Sequence, residues 1–144
     1  MVDMAKKRQL ELPAKAENLE KIFDWIEASC AAYDPAKQFM FGMQLVVEEL
    51  FLNVLNHSAE TASADGRVSL TFSPQPDGIM LVFSDDGSPF DPLSEAPEPD
   101  TDAAIEDRKI GGLGLKLVRE IPSQLSYNRT DWGNQLTLIF NEGE

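Results

Sequence analysis

Three short groups of residues in this chain have the types and spacings that chemistry requires. In Val46-Val47-Glu48-Glu49-Leu50-Phe51-Leu52-Asn53-Val54-Leu55-Asn56-His57, a carboxylate (Glu49), an amide (Asn53) and the sole imidazole (His57) recur at steps of four. A helix advances about 100° per residue, so with Glu49 at zero Asn53 lies at about 40° and His57 at about 80°. Such a stripe on an apolar helix could be the wall of a polar cavity. The second group is Asp85-x-Gly87, where a carboxylate can accept from a ligand amine and glycine permits close approach to the backbone. The third is Gly111-Gly112-Leu113-Gly114, whose free N–H groups at a helix start would suit an anion. Each group also has a plainer reading. The stripe could be the solvent edge of a buried helix, Asp85-Asp86-Gly87 a turn, and the glycines a tight loop, since the Rossmann pattern needs a preceding strand that is lacking here.

The elements that must carry these groups can be read from hydrophobic period. Arg8 to Leu12 reads as a short strand closed by Pro13, and residues 15 to about 32 as an amphipathic helix. Its apolar face is Leu19, Ile22, Phe23, Ile26 and Cys30, with Glu17, Glu20, Lys21, Asp24 and Glu27 outside. Asp34-Pro35 is an N-cap followed by proline at the first helical position, and opens the helix that carries Glu49 and Asn53. On that helix Met40, Met43, Val47, Leu50, Phe51 and Val54 oppose the polar stripe, while Phe41, Leu45, Leu52 and Leu55 fill most of the rest. A helix so apolar around its circumference is expected to be largely buried. After a polar loop at Ser58 to Gly66 the period changes to two: Val68, Leu70 and Phe72 alternate with Ser69, Thr71 and Ser73. Pro76-Asp77-Gly78 turns the chain into a second strand, Ile79 to Phe83, which ends at Asp85. Residues 93 to 109 carry prolines at 97 and 99 and almost no apolar side chains, the composition of a functional or disordered loop. The glycines then open a helix stopped by Pro122, and Gln124 to Thr130 and Gln135 to Phe140 form two last strands joined at Asp131-Trp132-Gly133-Asn134. Helices first and strands after predict a two-layer α+β sandwich rather than alternating βαβ units.

Composition narrows the partners. A chain of 144 residues suits one domain, and 42% hydrophobic with 26% charged residues is that of an ordinary globular protein. The balance of 12 basic against 25 acidic residues gives a net charge of −13, which repels nucleic acid and anionic membrane. Cys30 alone cannot build a disulfide framework and fits a reducing cytosol, as a small buried apolar residue rather than a nucleophile. The basic start MVDMAKKRQL has no apolar run behind it, and no stretch approaches the length of a membrane-spanning helix, so a cytoplasmic setting is expected.

Taken together and in this order, Glu49-x-x-x-Asn53-x-x-x-His57, Asp85-x-Gly87-x-Pro89-Phe90-Asp91-Pro92 and Gly112-x-Gly114-Leu115-x-Leu117 resemble the N, G1 and G2 boxes of the GHKL ATPases. The similarity is greatest to the small anti-sigma-factor serine/threonine kinases of bacterial partner-switching systems, and it runs from about residue 8 to residue 141. This resemblance implies the Bergerat ATP-binding fold, a mixed, mostly antiparallel sheet covered on one face by about three helices, in a single domain over 1–144. It implies that Asn53 holds Mg²⁺ through its side-chain oxygen and that Glu49 is the general base. It implies that Asp85 accepts from the adenine amino group, that Gly87 lets the base lie against the backbone, and that Thr137 is near the adenine. A lid around residues 88–110 would cover the nucleotide, and Gly112 and Gly114 would donate to phosphates. Phe90, Leu113 and Leu115 lie within the matching motifs and join the candidate nucleotide contacts. Family kinases commonly carry a basic lid residue beside the glycines. Here the nearest are Arg108, Lys109 and Lys116; Lys109 enters the candidate set, although the sequence does not choose among them. Glu48 reads as the solvent-side neighbour of the base, and His57, which ends the motif, as a structural polar contact in preference to a direct ligand.

The function so implied is an ATP- and Mg²⁺-dependent serine/threonine kinase and anti-sigma regulatory factor. It would phosphorylate a STAS-type antagonist, bind a sigma factor or similar target, and form a homodimer as the family suggests. An alternative is an ATP-binding interaction module without useful kinase activity. A third reading, an isolated histidine-kinase catalytic domain, fits less well, because His57 is the only histidine and lies inside the motif helix.

Overall fold

A computed structural model describes residues 7–61, 66–91 and 116–141, with backbone alone for residues 57–61. Five strands form one sheet in the order β1-β2-β3-β5-β4: β1 is Arg8–Pro13, β2 Arg67–Gln75, β3 Gly78–Asp85, β4 Gln124–Arg129 and β5 Asn134–Asn141. Every pairing among them is antiparallel, in place of the mixed sheet that the resemblance implies. The reason is the return of the chain after β3. It re-enters at the sheet edge as β4, and the β4–β5 turn then feeds β5 back between β4 and β3, antiparallel to both.

Alternation along the strands gives the sheet one buried face. Val68, Leu70 and Phe72 of β2, Ile79, Leu81 and Phe83 of β3, and Leu136, Leu138 and Phe140 of β5 all point into the core. Register sets them in rows: Leu70 pairs Phe83, which pairs Leu136, and Phe72 pairs Leu81, which pairs Leu138. Helices α1 (Leu19–Ala31) and α2 (Met40–Thr61) supply the other half of the core through Ile22, Ile26 and Cys30, and through Met43, Val46, Val47, Leu50 and Phe51. Trp25 sets its ring edge-on to Phe72, with centroids 6.4 Å apart.

Each helix starts later than its hydrophobic period suggests, because a 3-10 turn precedes it. Ala16–Asn18 leads into α1, and the buried Asn18 donates to Pro13 O at 2.8 Å, tying the helix start to the end of β1. Asp34-Pro35 opens the 3-10 turn Asp34–Phe39 rather than α2 itself, and the N-cap expected at Asp34 falls instead on Tyr33, with no side chain capping the turn; Asp34 pairs with Lys37 at 2.9 Å. Tyr33, just before it, donates its hydroxyl to Gln75 O at the end of β2.

Two expectations for α2 are corrected. Phe41 is 74% exposed and Leu52 38% exposed, so the helix is buried along one face rather than all round. Residues Asp34–Asn56 are also long and apolar enough to cross a membrane by length and composition, contrary to the expectation that no stretch is. Part of that apolarity serves the domain core, where Met43, Val46, Val47 and Phe51 are fully buried.

Candidate functional site

Two groups of side chains stand out, one on α2 and one where β3, β5 and β4 end together. On α2, Glu49 and Asn53 are one turn apart and both half-buried, while the neighbouring Leu50 and Phe51 anchor the helix in the core. Burial raises the proton affinity of the Glu49 carboxyl above the ordinary carboxylate range, and the negative charge of Glu48 raises it further. The Nδ2 of Asn53 is buried without a hydrogen-bond partner among the described residues. A buried polar atom left so costs about 1–3 kcal/mol. A half-turn of the amide exchanges nitrogen for oxygen at that place, giving a hard acceptor suited to a hard cation. Among the described residues no group of three or more His, Cys, Asp or Glu could cage a metal. One amide oxygen together with phosphate oxygens and water is nonetheless a set that Mg²⁺ accepts, so Asn53 fits such an ion.

The second group is built by register. Leu12, Val68, Asp85, Asn134 and Arg129 occupy one row across all five strands, on the same parity as the core-facing residues. The row begins apolar and ends polar, so Asp85 emerges where the core gives way to a site. Its Oδ1 accepts from Gly87 N at 2.9 Å, closing an Asx turn, and from Asn134 Nδ2 at 3.1 Å. Burial pushes the Asp85 carboxyl up; the Gly87 and Asn134 bonds pull it down, Asp86 raises it, and Arg129 lowers it. Asp86 has a different duty. Its Oδ1 accepts from Arg67 N at 2.9 Å, extending the β2–β3 ladder past the strand end. Of the two adjacent acids, one secures the sheet and the other faces the site.

Asn134 is the centre of this group, and it is absent from the candidates drawn from sequence. It is 6% exposed, and its Nδ2 also donates to Ser88 O at 2.8 Å. Its Oδ1 accepts from Phe90 N at 3.1 Å, from Tyr127 Oη at 2.5 Å and from Arg129 Nη1 at 3.3 Å. Arg129 Nη1 also donates to Gly87 O at 2.8 Å. Residues 85–90 are thus held by β5 and β4 rather than by their own backbone alone. Gly133 lets β5 come this close: a Cβ there would stand 1.9 Å from Asp85 O.

The other candidates sort as follows. Gly87 and Phe90 are in the Asp85 group, Phe90 through its backbone N–H. Thr137 is not. It pairs Val82 and Ser126, three residues along β5 from Asn134 and therefore on the opposite face of the sheet. The sequence carries the signal that separates the two, since strand parity links Asn134, not Thr137, to Asp85. Lys116 lies 4.0 Å from Glu120 in an exposed pair one helical turn apart. Lys109, Gly112, Leu113, Gly114 and Leu115 lie outside the described residues, as do Arg108, most of the expected lid and the His57 side chain. The helix expected to end at Pro122 is seen in its last turn, residues 116–120, with Ile121 N bonded to Leu117 O at 3.0 Å.

An apolar-backed helix with a proton acceptor and a ligand-seeking amide, beside a sheet whose end presents a braced carboxylate, is the arrangement that the N and G1 motifs require. A family model of the histidine kinase-like ATPase domain matches residues 12–140. The chain belongs to this family. A relative, the serine/threonine-protein kinase BtrW of Bordetella bronchiseptica (strain ATCC BAA-588 / NCTC 13252 / RB50), is 30% identical over 129 residues, covering 90% of this chain and 89% of the relative. The resemblance to the GHKL ATPases is therefore borne out, as is the α+β fold that it implied. A histidine kinase-like ATPase domain is an ATP-binding domain, and kinship with a protein kinase supports the expectation of a kinase over that of a passive fold.

Proposed function

We propose that this member of the histidine kinase-like ATPase family is an ATP- and Mg²⁺-dependent serine/threonine kinase that acts as an anti-sigma regulatory factor on a STAS-type antagonist protein. The observation that carries the reading is the pair on α2: a carboxyl whose proton affinity is raised by burial, one turn from an amide with an unpartnered buried atom. A structural helix face has no use for either. A general base and a metal ligand account for both. In this reading Asp85 accepts from the adenine amino group, and Gly87 lies against the ring. Asn53 holds Mg²⁺, which when bound neutralises charge on the phosphate oxygens. Glu49 takes the proton of a serine or threonine hydroxyl on the antagonist as its oxygen attacks the γ-phosphorus. The bond from the γ-phosphorus to the bridging oxygen breaks, and the electron pair leaves with ADP. The acidic surface suits protein partners with basic patches, a sigma factor or a similar target among them, and not nucleic acid or anionic lipid. A homodimer and a cytoplasmic setting belong to the same reading.

The test is transfer of labelled γ-phosphate to a STAS-domain protein captured from the native cell extract, with wild type beside Glu49→Gln. Label on a serine or threonine of the partner, lost in the variant, is the expected result. Wild type that binds ATP and the partner yet transfers nothing would make the protein a non-catalytic binding module.

A further inference from the structure

The Asn134 side chain does more than fill the end of β5. A carboxamide has two donor hydrogens and one acceptor oxygen, and here each is used: Nδ2 serves Asp85 and Ser88, and Oδ1 receives Phe90 N, Tyr127 Oη and Arg129 Nη1. Phe90 N and Arg129 Nη1 can only donate, and they fix which end of the amide is oxygen, because turning it over would set an NH₂ against both; the Tyr127 hydroxyl then donates to the same oxygen. The side facing Asp85 is therefore always an N–H. Both bonds that Asp85 accepts from the described residues, from Gly87 and from Asn134, fall on Oδ1. This aligns the carboxylate and leaves Oδ2 as the atom presented to a ligand. A carboxylate facing an N–H stays an acceptor, whereas one facing an amide oxygen would favour its protonated, donating form.

We propose that Asn134, oriented by Tyr127, Arg129 and the Phe90 amide, is a positioning residue that fixes Asp85 as a pure acceptor and so makes the site choose 6-amino over 6-oxo purine nucleotides. The inference rests on the nucleotide reading above and adds the device that sets its selectivity. An acceptor meets the amino group of adenine with a charge-assisted bond and meets a 6-oxo group with repulsion. Tyr127 reaches the Asp85 group through Asn134, and Arg129 through Asn134 and the Gly87 carbonyl, so the choice of base is made partly by β4.

The test measures binding of ATP and of inosine triphosphate, which differs in carrying a 6-oxo group in place of the amine, by calorimetry with Mg²⁺ present. Wild type should prefer ATP by at least about tenfold. Asn134→Ala should reduce that preference to less than about threefold, chiefly by weakening ATP. Tyr127→Phe removes a single hydroxyl and should lower the preference by a smaller factor, with the melting temperature checked alongside. If Asn134→Ala weakens both nucleotides equally and keeps their ratio, the residue is merely structural and the inference fails. If Asn134→Ala does not fold, Tyr127→Phe decides: an unchanged ratio overturns the inference and a reduced one supports it. Wild type that binds both nucleotides equally overturns the inference alone, and wild type that binds neither overturns the nucleotide reading with it.

Discussion

Replacing Asp85 by asparagine separates what this carboxylate does for a ligand from what it does for the fold. Asparagine has the same shape and keeps an oxygen at Oδ1 for Gly87 N and Asn134 Nδ2, now 2.9 and 3.1 Å away. What changes is the charge, and the second oxygen becomes an NH₂. Burial raises the folded pKa of Asp85 above the ordinary value near 3.9. For an acid the sign is then fixed. Folding disfavours its ionised form, stability falls as pH rises from the unfolded to the folded pKa, and the deficit persists above both. At neutral pH, Asp85→Asn should therefore melt at or above the wild-type temperature. Its ATP affinity should fall, because a donor now faces the adenine amine in place of a charged acceptor. The charge-assisted bond is worth about 1.5–3 kcal/mol, or roughly 10- to 150-fold in affinity. In the wild type, ATP binding should weaken on acidification at a pH above the ordinary aspartate range, where Asp85 takes up its proton. Calorimetric titration from pH 4 to 8, with thermal melts of both proteins at pH 7, measures each part. ATP binding by the variant within twofold of wild type would refute the adenine assignment. A variant melting well below wild type would refute the argument that the buried charge is carried at a cost.

Glu49→Gln should leave Mg-ATP binding nearly intact and reduce phosphate transfer by about 10²–10⁴, the usual contribution of a general base, as a labelled-ATP assay would show. Because the Glu49 pKa is raised, transfer by the wild type should fall with acidification at a pH above the ordinary glutamate value of about 4.3, a limb absent from Glu49→Gln. Asn53→Ala should weaken ATP binding in Mg²⁺ far more than in EDTA, where the two proteins should be similar; equal loss in both would remove the metal assignment. Gly133→Ala puts a Cβ 1.9 Å from Asp85 O, so it should cost at least about 1–3 kcal/mol in denaturant melts and carry ATP affinity down with it.

The elements legible in the sequence are those with a strong period and a chemical punctuation mark. Val68, Leu70 and Phe72 alternate cleanly and form β2; Pro76-Asp77-Gly78 turns it into β3; Pro13 closes β1 and Pro122 follows the helical turn 116–120. The 3-10 turns before α1 and α2 are not legible, because a step of three and a step of 3.6 place apolar residues almost alike over one turn. The exposure of Phe41 and Leu52 is not legible either, since apolarity records what a helix can bury and not what stands beside it. The N and G1 motifs stand out because Glu49, Asn53, Asp85 and Gly87 are local signals, each read within a few residues of its own element.

Asn134 escapes notice for the opposite reason, and the way it does so shows what a strand motif must include. Its importance lies in partners at 85, 88, 90, 127 and 129, all but the last two more than forty residues away in sequence. Nothing in Asn134-Gln135-Leu136-Thr137 marks the first residue over the last unless the strand is first placed in register. Once Leu136, Leu138 and Phe140 are recognised as the buried set, parity alone decides that Asn134 faces the helix side and that Thr137 does not. Pairing β5 antiparallel to β3 then sets Asn134 opposite Asp85, itself a candidate from its Asp-x-Gly spacing alone. A polar residue of core parity at the end of a central strand, opposite a candidate ligand-binding acid, is therefore a signal that hydrophobic period and strand pairing together reveal. The amide is there because a carboxylate at that depth needs a neighbour that donates to it without neutralising it. A lysine would quench the charge and a leucine would leave Oδ1 with the Gly87 bond alone.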